Sequence, residues 1–444
     1  MNMRMMLILV LVVLAASDIL GIDIGLAPGL SMKNLLLYMG FGLLLMQRAV
    51  TGRPHLQLVW LQGAFLLLVV YAIGSVILNI AILELPGYRP LTQVITLKTQ
   101  LIDRFVVFVL FFYAARTPTD VLRVLGCLLA LVALGSLFTI TNVTGLTQIG
   151  TTTYGADNEV EGGRIYGYFG HANETGTLLA TLLPAYMAMS DRSRGPVRVA
   201  WILCLAAVLL MLVMTGSRSA LLGLIAGGSA VAFAYRRQFD RASVRRWMLR
   251  AVTVLVPAIL LMGWQFIQGL AEWVALQASG PLGDASSGRT VLWADALEVM
   301  FASPWTLVSG FGWGGWDSHN FRYVAHNNYL SYWFDLGLPG LILLLVLLVG
   351  PWVVARRALA HAAPADRGLL IAFIAGMAAL LVSMAFQTLF TPWPYLWAFI
   401  ALMMRWAVLQ TAPAQGPRVV APVIGQRMPA RAPTATPAAA LRRT

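Results

Sequence analysis

The chain has 444 residues, of which 59% are hydrophobic and only 11% charged, and its formal net charge is +13. A soluble domain carries roughly 25% charged residues, so this chain has too little polar surface to meet water on every side. That excludes a disordered scaffold, a nucleic-acid-binding module and a disulfide framework, and leaves an all-α polytopic membrane protein, in which a basic excess is first a matter of orientation.

Crossing roughly 30 Å of hydrocarbon takes about 20 apolar residues in a helix. Such runs occur at 3–22, 31–47, 57–80, 99–115, 119–140, 172–190, 196–214, 218–235, 248–270, 327–355, 367–389 and 393–410, which predicts about twelve transmembrane helices in an integral membrane domain of residues 1–410. The first run has Arg4 ahead of an apolar core and Ala15-Ala16-Ser17 behind it, the layout of a cleaved leader, but the spans that follow favour its retention. Cys127 and Cys204 sit inside apolar runs and read as small apolar side chains without redox or metal roles.

Two connections are long, 142–171 and 271–326. Loops of that length are uncommon in compact proteins unless they carry function. The second holds a predicted helix over 289–300, with Val291, Leu292, Leu297 and Met300 on one side and Asp295 and Glu298 on the other. Ser286 or Ser287 is placed to cap it and Ser303-Pro304 to end it, so it reads as a helix along the membrane surface or across the mouth of a cavity. The tail, 411–444, is rich in Pro, Ala and Arg without any acid; it has no apolar face to bury and reads as disordered.

Twelve spans put both termini on one side. Assigned alternately, the loops place 23 Lys or Arg and 4 Asp or Glu on the terminus-bearing face, against 8 and 14 on the other. The clusters Arg192/Arg194/Arg198, Arg236/Arg237/Arg241/Arg245/Arg246/Arg250 and Arg356/Arg357/Arg367 all fall on the first face, as short cytoplasmic loops require. Both termini are therefore expected in the cytoplasm, and both long loops outside it.

The outer cations are few, so their contexts carry information. Arg218 lies in the tight hairpin Thr215-Gly216-Ser217-Arg218, Arg289 opens the loop helix after Ser287-Gly288, and His326-Asn327 opens the tenth span after Arg322-Tyr323-Val324-Ala325. Each stands at a predicted helix N-terminus, where unpaired N–H groups already carry partial positive charge, so an added guanidinium implies an anion such as phosphate or pyrophosphate. The plainer reading of either arginine is an interfacial side chain snorkelling to water. His326 is open to three readings: an interfacial histidine bonded to Asn327 or Asn328, a general base, or a metal ligand with His319 and Asp317. Asp157, Glu159 and Glu161 form an acidic cluster, but neither set has a recognised ligand spacing, and no metal or other cofactor is expected.

At the entry to the sixth span, Arg164-Ile165-Tyr166-Gly167-Tyr168-Phe169-Gly170-His171-Ala172-Asn173 combines glycines, aromatics and directional polar groups, and reads equally as a sugar-binding surface or as an aromatic belt with a helix cap. Arg164, Tyr168, His171 and Asn173, with Arg322 and Asn327, are the candidate substrate-binding residues. Phe311-Gly312-Trp313-Gly314-Gly315-Trp316 repeats the theme as an expected mobile loop able to clamp a glycan.

His326-Asn327, nine residues, then Gly337-Leu338-Pro339-Gly340 resembles the histidine signature of bacterial O-antigen ligases, and Arg218 with Leu222 resembles that family's R-x-x-x-L element. The resemblance implies an inner-membrane glycosyltransferase of the GT-C class that moves O-antigen from undecaprenyl diphosphate to a sugar hydroxyl of lipid A-core on the periplasmic side, without metal and with inversion. It also implies that His326 is the essential histidine, Arg218 the arginine at the membrane edge and Arg289 that of the loop helix. O-antigen polymerases and protein O-oligosaccharyltransferases share this architecture and differ in acceptor. A transporter of lipid-linked glycan would need charged or broken helices at mid-membrane, where, apart from Asp103-Arg104, the positions are almost wholly apolar.

Overall fold

The computed structural model describes residues 2–22, 24–51, 60–83, 86–148, 165–169, 171–234, 289–319, 321, 324–389 and 393–411. Outside the described residues lie the span expected at 248–270, the arginine cluster at 236–250, most of the loop 142–171 with its acidic cluster, the first part of the loop 271–326 with Ser286 and Ser287, and the tail beyond 411.

The described residues are helical almost throughout. The helices are α1 (Met3–Leu20), α2 (Met32–Val50), α3 (Trp60–Leu78), α4 (Pro90–Leu97), α5 (Asp103–Ala114), α6 (Pro118–Val143), α7 (Ala172–Arg192), α8 (Gly195–Met214), α9 (Arg218–Ala234), α10 (Arg289–Phe301), α11 (Pro304–Ser309), α12 (Gly315–Ser318), α13 (Asn328–Leu359), α14 (Pro364–Ser383) and α15 (Trp393–Thr411). A short two-stranded antiparallel hairpin, Gly25–Ala27 with Leu30–Ser31, precedes α2.

Among the described residues, six helical segments are long and apolar enough to cross a membrane: Met3–Leu20, Trp60–Ile82, Pro118–Val143, Gly195–Met214, Asn328–Leu359 and Pro364–Ser383. Large apolar side chains stand bare on their outer surfaces, Leu67 at 56% and Leu203 at 65% exposure among them. Surface of that kind needs hydrocarbon around it, and the chain is a multi-pass membrane protein. The helices α2, α5, α7, α9 and α15 also fall on expected spans but are shorter or more polar.

Two π-helical turns interrupt the bundle, Asn79–Leu83 after α3 and Lys98–Ile102 between α4 and α5. The span expected at 99–115 therefore begins earlier, at Pro90, whose ring suits the first helical position and whose following polar residues hid the helix from a hydropathy reading. Of the charged pair within it, Asp103 is satisfied locally: it accepts from Lys98 at 2.9 Å and from the Tyr38 hydroxyl.

Helices α7, α9 and α14 pack backbone to backbone. Gly223 and Gly227 lie one turn apart on α9; a Cβ at Gly223 would sit 2.3 Å from Ser383 Oγ, and one at Gly227 2.6 Å from the Ala379 nitrogen. On α14, a Cβ at Gly376 would sit 2.2 Å from the Thr181 carbonyl of α7. Small residues at such spacing let helices meet where lipid offers no hydrophobic drive to association.

Helix α13 is broken at Gly337, which has φ 62° and ψ −164°. Pro339 has no N–H to donate to the carbonyl four residues back, so the helix cannot run through unbroken. A Cβ at Gly337 would lie 2.1 Å from the Val308 carbonyl of α11, which explains why glycine is required there.

Because overpacking costs about 1–3 kcal/mol, Gly227→Leu is expected to lower the unfolding temperature of the detergent-solubilised protein by several degrees. Gly228→Leu, where a Cβ meets nothing within 4 Å, should leave it unchanged; equal unfolding temperatures for the two variants would refute the tight α9–α14 contact.

Candidate functional site

The last carbonyls of a helix have no partner within it and carry partial negative charge. At the end of α14 they are taken up by residues from elsewhere in the chain. Tyr329 Oη donates to the Leu381 carbonyl at 2.6 Å, the Asn328 N–H to that of Met384 at 3.0 Å, and Arg289 Nη1 to that of Phe386 at 3.0 Å. From the same turn, Ser383 Oγ donates to the Ser219 carbonyl at 3.2 Å, beside Arg218. The segments that carry His326, Arg289 and Arg218 are thus tied to four consecutive or near-consecutive residues.

His326 is held from both sides. Ahead of it, Trp293 Nε1 of α10 donates to the Ala325 carbonyl at 2.6 Å; behind it, Asn327 caps α13, its Oδ1 accepting from the Leu330 N–H at 3.0 Å. Between these anchors the backbone of His326 has φ 48°, and among the described residues it is the one non-glycine with positive φ. Backbone strain of this sort persists only where the surroundings over-determine it, and it concentrates at functional sites.

The second facing histidine comes from α7. His171 Nδ1 accepts from the Asn173 N–H at 3.2 Å and so caps the helix, which places the proton of the neutral ring on Nε2. Its ring is stacked on Tyr166 at 5.6 Å and lies 6.4 Å from that of His326. The turn before Arg218 leans on the same helix: the Ile165 N–H donates to the Met214 carbonyl at 3.3 Å, and a Cβ at Gly176 would sit 2.6 Å from Ser217 Cβ. Arg218 is exposed at the first position of α9, as the sequence reading placed it.

Residues 202–345 match the family model described as O-antigen ligase, about a third of the chain. The match supports an O-antigen ligase/polymerase family protein. The matched segment contains Arg218, Arg289, His326 and Gly337 to Gly340, and its family's members are enzymes acting on O-antigen in a membrane setting. None of the curated proteins matches the chain.

Within the ligase-family segment, α10 buries Leu292, Ala296 and Met300 against Ala325, Leu330 and Phe334, while Val291, expected on that buried side, is 56% exposed. Leu297 packs at the edge of this cluster. The helix ends at Phe301, and Ser303 caps the short α11 that follows, accepting from the Trp305 N–H at 3.2 Å.

The glycine-aromatic loop expected to be mobile is anchored. Asn79 Nδ2 donates to the Phe311 carbonyl at 3.0 Å, Tyr88 Oη to that of Trp313 at 2.8 Å, and the Trp313 N–H to Ser75 Oγ at 3.0 Å. Burial pushes the Tyr88 phenol above its ordinary pKa, so it stays a protonated donor. Asp335 of α13 accepts from the N–H groups of Gly314 at 3.2 Å and Trp316 at 2.9 Å, and Gln93 donates to Asp317 at 3.1 Å. Gly310, Gly312 and Gly314 all have positive φ, which bends the loop into this seat.

Several of the candidates are engaged structurally. Asn327 is the cap of α13, Asn173 is buried in the first turn of α7, and Tyr168 lies over Gly135 of α6 with its hydroxyl donating to the Val132 carbonyl at 3.3 Å. His319 is stacked among Phe311 and Phe321, and its Nδ1 meets the Gly315 carbonyl at 2.7 Å. Arg164 and Arg322 lie outside the described residues. The residues that sequence reasoning missed are Trp293, Asp335 and the turn Ser383 to Phe386; Asp335 alone left a signal, as a lone carboxylate in an otherwise apolar run.

A left-handed backbone costs an alanine about 1–2 kcal/mol that glycine escapes. His326→Gly should therefore unfold at a higher temperature than His326→Ala, with both variants inactive; a reversed order of unfolding temperatures would contradict the strained backbone.

Proposed function

We propose that the chain transfers O-antigen polysaccharide from undecaprenyl diphosphate to a sugar hydroxyl of lipid A-core, at the periplasmic face of the bacterial inner membrane, on a GT-C scaffold of about twelve helices with both termini cytoplasmic. The observation that carries this reading is the gathering of the His326, Arg289 and Arg218 segments around the end of α14, within the stretch that matches the ligase family.

The step is a single displacement. The acceptor hydroxyl oxygen attacks the anomeric carbon of the donor, the bond from that carbon to the diphosphate oxygen breaks, and undecaprenyl diphosphate leaves with the electron pair, so configuration inverts. His326 takes the hydroxyl proton, a contribution of about a hundred- to ten-thousand-fold. Arg289 and Arg218 hold the diphosphate and stabilise its growing charge, worth about 3–4 kcal/mol for a well-placed donor. Both substrates are lipid-anchored, so the bilayer supplies part of their alignment. No step requires a metal.

Purified protein given undecaprenyl-diphosphate-linked glycan and lipid A-core, with chelator present, is expected to form the core-attached product, and His326→Ala to abolish it while remaining folded. Near-normal ligation by His326→Ala would sink the general-base role. Arg289→Ala is expected to raise the donor KM, at least tenfold as about 1.4 kcal/mol of lost binding corresponds to. Chain growth without attachment to core would assign the protein to the polymerases instead.

A further inference from the structure

Between α4, the anchored loop and the first half of α13 lies a cavity of about 270 Å³. Its character is opposite to that of the arginine-bearing pole. Among the described residues that line it there is no Lys, Arg or His, while Asp317 and Asp335 contribute carboxylates. An anionic phosphate would meet two carboxylates there and no cation among the described lining residues.

Four of the lining residues carry a side-chain polar atom that is buried and has no hydrogen-bond partner: Gln93 Oε1, Trp313 Nε1, Asn328 Nδ2 and Thr388 Oγ1. Each of these residues is at least nine-tenths buried. Leaving one such atom unpaired is costly, and native interiors hold few, so four around one cavity point to a partner that occupies it. The set comprises donors, an acceptor and a hydroxyl beside an indole ring, which matches a ring bearing several hydroxyls, each able to donate and accept. The volume sits at the small end of ligand pockets and suits one sugar unit. Ala325 and Asn328, on either side of His326-Asn327, form part of its wall.

We propose that this cavity is a subsite for one uncharged glycosyl unit, which it positions beside His326. The proposal rests on the glycan-transfer reading above. The unit belongs either to the donor glycan or to the acceptor core.

The full-length protein in nanodiscs is tested for binding of methyl β-glucoside and of N-acetylglucosamine by saturation-transfer difference NMR, with inorganic pyrophosphate as competitor. Binding of at least one sugar, undisplaced by pyrophosphate and weakened fivefold or more in Thr388→Val and Trp313→Phe, is expected. Absence of binding by both sugars, or displacement by pyrophosphate, overturns the proposal. Thr388→Val should also raise the unfolding temperature, because it removes an unpaired polar atom; a fall would mean that structural water fills the cavity and would overturn the proposal. In the transfer assay both variants should raise KM with kcat retained, a raised acceptor KM assigning the unit to the core and a raised donor KM to the O-antigen. Unchanged KM for both substrates, with wild-type transfer intact, defeats the subsite and leaves the function standing. Sugar binding that persists in a protein unable to transfer glycan defeats the function and leaves the subsite standing.

Discussion

A helix cannot satisfy its own last carbonyls, and the candidate site is organised around that fact. The end of α14 receives Tyr329 and Asn328 from α13 and Arg289 from α10, and its Ser383 reaches back to the start of α9. These segments are separated by long stretches of chain and share no sheet or disulfide. Inside a bilayer, unpaired backbone carbonyls find no water, so the pressure to recruit partners is stronger than in a soluble protein. The same bonds that complete α14 thereby fix the relative placement of a histidine and two arginines. The guanidinium of Arg289 suits the role because the C-terminal end of a helix favours positive charge.

The second constraint is the break in α13. Pro339 and Gly337 end its first segment just beyond Asp335, and the gap admits the carbonyls of α11. Asp335 then holds the glycine-aromatic loop by two backbone N–H groups, while the π-helical turn at Asn79 holds its other side. The Gly-x-x-Gly element therefore acts through backbone: it lets a loop rich in glycine keep one shape. A loop so fixed gives the neighbouring cavity walls that do not collapse, which is how polar atoms remain buried without partners of their own.

What sequence reasoning recovered follows from the kind of interaction involved. Apolar runs and the loop helix at Arg289 are local, set by periodicity and by one or two neighbouring residues, and each lies near its expected place, whereas Asn327, read as a substrate-binding candidate, is the cap of α13. The start at Pro90 was missed because Thr, Gln and Lys are good enough helix residues yet poor hydropathy markers. Val291 was put on the wrong face because Trp293 turns inward to bond the Ala325 carbonyl, which sets the rotation of α10. The role of Ser383 to Phe386 rests on backbone carbonyls, which every residue type possesses, so no side-chain pattern announces it. His171 and His326 illustrate the middle case: both were recognisable as polar residues at helix starts, but their 6.4 Å separation depends on how α7, α9 and α14 pack.

That packing links the fold to the chemistry. The glycines of α9 and α14 bring helix backbones into contact, and contact at one end sets geometry at the other, because helices are stiff over their length. A side chain inserted at Gly227 or Gly376 would separate α9 or α7 from α14, and with them the Arg218 turn and the His171 cap. His326 has little freedom to follow, since it is held by Trp293 on one side and by the Asn327 cap on the other, in a backbone conformation that its neighbours impose. The strain at His326 is thus sustained by bonds that each join a side chain to the main chain, Trp293 to the Ala325 carbonyl and Asn327 to the Leu330 N–H, so the backbone on either side fixes where the imidazole stands.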